Sequence, residues 1–257
     1  MYFRGFRERQ DITRAQPPID NRVPLGWSSD ELSKFWEAGR KNQFATFVKK
    51  RPVYKRLVAI DALFLRVSKD WLNPPDDIAA MLFLRTHSAF RTAAGLAAAG
   101  QAAESYMINR TMLEYAAYAL HLNRNPELKA IWLDRHLDEK TMTASKNGFS
   151  HRKVVKSVSD FNQHAGTRFS KLYQHTIDFG GHPNERSVTG NLEVVEEADR
   201  RTMLMIMQHG DGPALDFALR TTAQCGMCSL EMLQGVFNAR FELLGINAAM
   251  LELRRGL

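Results

Sequence analysis

The chain has 257 residues, of which 44% are hydrophobic and 25% charged, so it can bury a sizeable core and falls in the range of ordinary globular proteins. It has no run of 18 apolar residues and no apolar signal region at the N-terminus, which argues against a transmembrane helix and against secretion. A cytoplasmic location is therefore expected. The net charge of +7 and the basic clusters within 4–14, 40–56 and 146–156 favour an anionic partner, RNA among them, but no nucleic-acid-binding motif accompanies them.

The first 28 residues differ in composition from the rest of the chain. They contain Pro17, Pro18 and Pro24, many charges and little hydrophobic periodicity. This composition predicts an extended basic N-terminal arm. Residues 29–257 are predicted to form a single helical domain.

Four helices are predicted first, over residues 30–49, 53–71, 76–99 and 101–122, with Ser28, Ser29 and Asp30 as N-cap candidates for the first. Asp76 and Asp77 place negative charge at the start of the third helix, where the helix dipole favours it. A stripe of small residues along that helix, which includes Gly95, would let a neighbouring helix approach closely. Gly100 ends it, and the short connection predicts that the third and fourth helices form an antiparallel pair.

The second half of the chain is predicted to be mainly helical, over 126–145, 150–165, 167–178 and 213–244, with a short helix in the tail. Two apolar segments, 192–195 and 203–207, flank a charged turn at 196–201 and predict a hairpin. The predicted fold is an all-α antiparallel helical bundle with a small β-hairpin insertion near 190–210.

The fourth helix carries a polar stripe on an otherwise apolar surface. At 100° per residue, Arg110, Glu114 and His121 fall within about 40° of one another. An apolar helix of this kind is expected to be buried, and buried charges need partners. Arg85, Tyr173 and His182 are candidate partners. The stripe would either hold a loop against the bundle or form part of an active or binding site. We favour the first interpretation.

Two further features bear on chemistry. His182, in the loop Gly180-Gly181-His182-Pro183, would act as a general acid or base or else order that loop. Cys225 and Cys228 have C-x-x-C spacing but lack a preceding strand and additional ligands nearby, so we interpret them as small residues on a helix face. No phosphate-binding loop, dinucleotide-binding motif or zinc-protease motif occurs in the sequence. We therefore predict no metal and no cofactor.

The run Asn109-Arg110-Thr111-Met112-Leu113-Glu114, together with Leu172-Tyr173 and Gly181-His182-Pro183-Asn184, resembles a pattern in largely uncharacterised bacterial helical proteins with a HEPN-like bundle. In those proteins a helix carries Arg and then Glu, and a Tyr-containing helix leads into a His-containing turn. The resemblance covers residues 78–184. It implies a HEPN-like fold and a bacterial source.

HEPN proteins that cut RNA share an Arg followed by a His, and they form a metal-independent site across a dimer. The nearest match here is Arg168 and His175, separated by six residues. Two functions stay open: a binding or assembly module, and a metal-independent endoribonuclease of defence or toxin type, which would act as a homodimer. The nuclease requires Arg168 and His175 to be exposed on one groove. Burial of Arg168 in a salt bridge, or a His175 side chain directed away from Arg168, would argue against that function.

Overall fold

The computed structural model describes residues 23–74 and 76–255. Residues 1–22, most of the predicted arm, lie outside the described residues. The described chain contains a two-stranded antiparallel sheet, a π-helical turn at Ile177–Gly181 and the following helices: α1 (Glu31–Lys49), α2 (Arg51–Ser68), α3 (Asp77–Ala98), α4 (Ala102–Arg124), α5 (Leu128–Leu133), α6 (Glu139–Gly148), α7 (His151–Phe161), α8 (Gln163–Thr176), α9 (Glu185–Thr189), α10 (Pro213–Gln234), α11 (Asn238–Leu243) and α12 (Ile246–Arg254). The strands are β1 (Leu192–Glu197) and β2 (Arg200–Met205). This architecture is the predicted all-α bundle with a small β insertion.

Helix α4 lies at the centre and makes its most extensive contacts with α3 and α10. The core around it is rich in alanine and leucine, with large aromatic side chains such as Phe64, Phe83 and Phe90 fully buried. Small residues let the helix axes approach, and the aromatic rings fill the remaining space. Within the described part of the chain, no helix combines the length and hydropathy needed to cross a membrane.

The helix starts follow the predicted capping chemistry. Asp30 accepts a hydrogen bond from the Ser33 amide at 2.8 Å, and Asp76 accepts from the amides of Ile78 and Ala79. Each cap satisfies backbone donors that have no partner within the helix. The boundaries of the first four helices are accordingly within three residues of the predicted ones.

Two predicted helices were wrong in length. The helix expected over 126–145 is divided into α5 and α6, because Asp138 caps a new helix by accepting from the Thr141 amide at 2.7 Å. The helix expected over 213–244 ends at Gln234, and α11 begins only at Asn238. A Cβ at Gly235 would lie 2.9 Å from the side chains of Leu120 and Phe161, so this glycine is required where the chain turns against α4.

The hairpin is an exposed insertion whose exit loop returns to the bundle. Its register pairs Val194 with Met203 and Glu196 with Arg201, and β2 is exposed along its whole length. Beyond it, the His209 amide donates to the Gly100 carbonyl at 2.8 Å. Lys50 also binds Asp211 and Asp216 at 2.6 and 2.7 Å. The loop 206–212 is thereby fixed against the turn between α3 and α4.

We predict that Gly100→Ala lowers the free energy of unfolding by more than about 2 kcal/mol. Gly100 has a φ of +83°, and a Cβ there would lie 2.2 Å from the His209 carbonyl oxygen. Gly26 has a φ of +86°, but a Cβ there would meet no described atom within 4 Å, so Gly26→Ala reports left-handed strain alone, about 1 kcal/mol. Urea denaturation of both variants checks this, and equal losses would contradict the role of the His209 contact.

Candidate functional site

The structure brings together three of the residues predicted for the polar network. Arg110 Nε donates to Glu114 Oε1 at 3.1 Å, and the Tyr173 hydroxyl donates to the same oxygen at 2.9 Å. The Arg110 guanidinium also lies over the Tyr173 ring, 5.2 Å from its centroid. Tyr173 on α8 is thus held against α4 by both a hydrogen bond and a cation–π contact.

The expectation that this network is buried was wrong. The side chains of Arg110 and Glu114 keep 31% and 37% of their surface exposed. Helix α4 directs its neighbouring residues Asn109 and Leu113 into the core, which turns Arg110 and Glu114 toward Tyr173 of α8 and His151 of α7. A partly hydrated position lowers the desolvation cost of both charges.

His151, at the start of α7, completes the cluster. Its ring stacks on Tyr173 with centroids 4.4 Å apart and an angle of 22° between the planes. Arg110, Glu114, Tyr173 and His151 are hereafter called the polar cluster. Glu114, Tyr173 and His151 border a cavity of about 60 Å³, which has room for a few waters or a small polar group. Its lining residues are Glu114, Tyr118, Phe149, His151, Val154, Phe169 and Tyr173.

Two members of the polar cluster, Tyr173 and His151, are neutral at pH 7. Burial raises the pKa of Tyr173, and the negative charge of Glu114 raises it further, so the hydroxyl stays protonated and donates. Burial lowers the pKa of His151 below its usual 6.5, which leaves the imidazole neutral at pH 7. The cluster can therefore offer a guanidinium, a carboxylate and neutral hydrogen-bonding groups to a ligand.

Arg85 and His182 do not take the positions expected of them. The Arg85 guanidinium lies 5.4 Å from the centroid of Tyr115, so its contact is with another face of α4. His182 is exposed, and its carbonyl accepts from Ser187 Oγ at 2.9 Å. The His182 loop is ordered chiefly by Asn184, whose Nδ2 donates to the Ile177 carbonyl at 2.8 Å and whose Oδ1 caps α9.

A π-helical turn connects α8 to that loop. Such turns are rare and occur frequently at functional sites. Gly180 within it lies so close to α4 that a Cβ would be 2.3 Å from the Ala103 carbonyl oxygen. The sequence analysis placed Gly180 in a loop because it precedes Gly181 and Pro183. In the structure, Gly180 instead allows the turn to pack closely against α4.

Arg168 and His175 lie on α8 but have separate environments. Arg168 Nε donates to Glu231 Oε2 at 3.1 Å, and a second ion pair joins the Arg168 guanidinium to Glu231 Oε1. The His175 ring instead packs between Phe179 and Phe217, at centroid distances of 4.6 and 4.7 Å. Its Nε2 atom is buried without a hydrogen bond to any described residue, and burial lowers its pKa.

Two important residues were missed by the sequence analysis. Glu231 is a buried carboxylate on α10 that binds both Arg168 and Arg254, the latter at 3.2 Å. The sequence could have indicated Glu231, because it is the one charged residue of the segment 221–234 on that helix. His151 carried a weaker signal, a histidine immediately after the potential helix cap Ser150.

The cysteine pair lies inside the core. Cys225 and Cys228 are buried on α10, and burial raises the pKa of Cys228 to about 12. Both thiols are therefore protonated at neutral pH, as expected for small residues that pack on a helix face.

Comparison with known proteins found no match: no family model, curated protein or solved structure is similar to this chain at a significant level. The HEPN-like resemblance stays a prediction that depends on the residues quoted above.

We predict that Tyr173→Phe lowers the free energy of unfolding by about 0.5–1.5 kcal/mol, because it removes the hydrogen bond to Glu114 and keeps the stacked ring. Tyr118→Phe is the matched control, since Tyr118 borders the same cavity and its hydroxyl forms no hydrogen bond with a described residue. Chemical denaturation measures both. An equal effect of the two changes would show that the Glu114 contact adds nothing to stability.

Stability is also predicted to fall as the pH is lowered through about 6.5. Burial lowers the pKa of His121, His151 and His175 in the folded chain, so the unfolded chain takes up protons first and is favoured by acid. The free energy of unfolding of the wild type should therefore decline from pH 7 to pH 5. In His175→Phe the free energy of unfolding should decline less between pH 7 and pH 5 than in the wild type. At pH 8, where the histidine is neutral in both states, the two proteins should differ only through side-chain packing. Parallel pH profiles below 6.5 would refute this role of His175.

Proposed function

We propose that this protein is a HEPN-like binding or assembly module that does not cut RNA. The observation that carries the proposal is the separation of Arg168 from His175. The Arg168 guanidinium is bound to Glu231, and the His175 imidazole is enclosed by aromatic rings. A general acid or base has to come within hydrogen-bond reach of the reacting group, and His175 Nε2 is buried.

In this proposal the polar cluster positions helices and the basic surfaces meet the partner. Glu114 and Arg110 fix α8 to α4 through Tyr173, and His151 extends the contact to α7. Exposed cations in the first turns of α2, such as Arg51 and Lys55, support an anionic partner. RNA is the partner that we propose to test first.

The endoribonuclease is the alternative, and a cleavage assay separates the two functions. Wild-type protein is incubated with labelled single-stranded RNA in excess chelator, and the products are resolved on a denaturing gel. We expect the RNA to stay intact while the protein binds it. Metal-independent cleavage by the wild type that is lost in His175→Ala or His182→Ala would overturn the proposal. The folded state of each variant is verified by circular dichroism.

A further inference from the structure

The face formed by α1 and α2 carries exposed aromatic side chains. Trp36, Phe44 and Phe47 are 52%, 58% and 43% exposed, which is unusual for large apolar residues of one helix. Phe47 contacts Tyr54 of α2 edge-to-face, with ring centroids 5.0 Å apart. Trp36, Phe44, Phe47 and Tyr54 are hereafter called the aromatic face.

Arginines alternate with these rings. The Arg40 guanidinium lies 5.2 Å from the centroid of Phe44, and that of Arg51 lies 4.1 Å from the centroid of Phe47. Cation–π contacts hold the rings and the charges in one surface, so that a flat ligand with negative groups would meet both at once. Both pairs have i,i+4 spacing, and Arg40 also binds Glu37 at 2.7 Å, so Arg51 contributes more of the net positive charge of this surface than Arg40 does.

A groove of about 600 Å³ opens beside the aromatic face. Phe44, Phe47 and Tyr54 form part of its walls, and Ala94 and Gly95 of α3 lie along it. A Cβ at Gly95 would meet only Gln43 Nε2, at 3.9 Å, so the small-residue stripe of α3 is left largely uncovered here. The volume falls within the range of about 300–1,000 Å³ that is typical of ligand sites.

The exposed charges of α1 and α2 are mainly positive, and the charged residues in the groove wall are Asp61 and Arg91. Lys41, Lys49 and Lys55 are exposed on the same two helices as Arg40 and Arg51. The groove carboxylate, Asp61, is engaged by His87 at 2.6 Å and by Arg91 at 2.8 Å. Those partners hold the pKa of Asp61 at about 2 despite its burial, so its charge is compensated within the wall.

We infer that this groove binds single-stranded nucleic acid, with bases stacked on Phe44 and Phe47 and phosphates beside Arg51 and Lys55. Stacking platforms within a positive channel are the physical basis of sequence-tolerant single-strand binding. A duplex conceals the faces of its bases, and a second copy of this chain would bring its own positive rim against the first. The inference rests on the proposed function, because it names the surface through which the module would bind RNA.

Fluorescence anisotropy tests the inference with the full chain and a labelled oligouridylate of about twelve nucleotides, in chelator. Phe44→Ala/Phe47→Ala should weaken binding about tenfold or more, because each stacked base is lost. Arg51→Ala/Lys55→Ala should also weaken binding and reduce the salt dependence by about one unit of log K against log salt. Arg152→Ala/Lys153→Ala, a matched pair of exposed cations on α7, should change affinity less than twofold.

Three outcomes would overturn the inference. The first is loss of binding in the α7 pair with no loss in either groove variant. The second is that inorganic polyphosphate competes as strongly, per negative charge, as unlabelled oligouridylate does. That result would mean that the bases are not stacked on the rings. The third is a wild-type dimer in sedimentation equilibrium that becomes monomeric in Phe44→Ala/Phe47→Ala while oligouridylate affinity is unchanged.

The same titrations are run with oligodeoxythymidylate, which lacks the 2′-hydroxyl that ribonuclease chemistry needs. Weaker binding of this DNA by the groove variants supports the inference even if the wild type cuts RNA. Cleavage of the oligouridylate on a denaturing gel would overturn only the proposed function. Equal binding of both oligonucleotides by all variants, at unchanged thermal stability, would overturn only the groove assignment.

Discussion

The structure depends on the burial of α4 between α3 and α10. A charged side chain is tolerated only on the part of α4 that solvent still reaches. Arg110 and Glu114 lie on such a part, beside α7 and α8, and keep 31% and 37% of their side-chain surface exposed. Outside the core, the Tyr173 hydroxyl donates a hydrogen bond to Glu114, and the Tyr173 ring lies under the Arg110 guanidinium. Elsewhere α4 buries uncharged polar groups such as Asn109. Its Nδ2 donates to Thr222 Oγ1 at 3.0 Å, and its Oδ1 is buried without a hydrogen-bond partner among the described residues. The position of α8, and with it the π-helical turn, follows from this arrangement.

Two partly or fully buried carboxylates, Glu231 and Asp61, each bind two basic side chains. Glu231 is bound by Arg168 and Arg254, and Asp61 by His87 and Arg91. Removing one partner from such a group would leave a poorly solvated charge, which is costly. The Arg168 guanidinium is bound to Glu231, although 46% of the Arg168 side-chain surface stays exposed.

Two surfaces therefore have different roles. The polar cluster is a small, hydrated contact between α4, α7 and α8, with neutral imidazole and phenol groups beside one carboxylate. The groove between α1, α2 and α3 is about ten times larger and is bordered by exposed rings and cations. We propose that the first holds the bundle in register and that the second, by its size and its exposed rings, is a binding surface.

The sequence by itself determined the helical class, the hairpin, the caps at Asp30 and Asp76, and the contact between Arg110 and Glu114. These features depend on local periodicity, on backbone donors at helix ends and on spacing within one helix. Only the tertiary structure decided that the stripe is half exposed, that His151 stacks on Tyr173 and that Arg168 pairs with Glu231. Those facts depend on how α4, α7, α8 and α10 are rotated about their axes. The rotation is set by the packing of all the helices together, and no single segment encodes it.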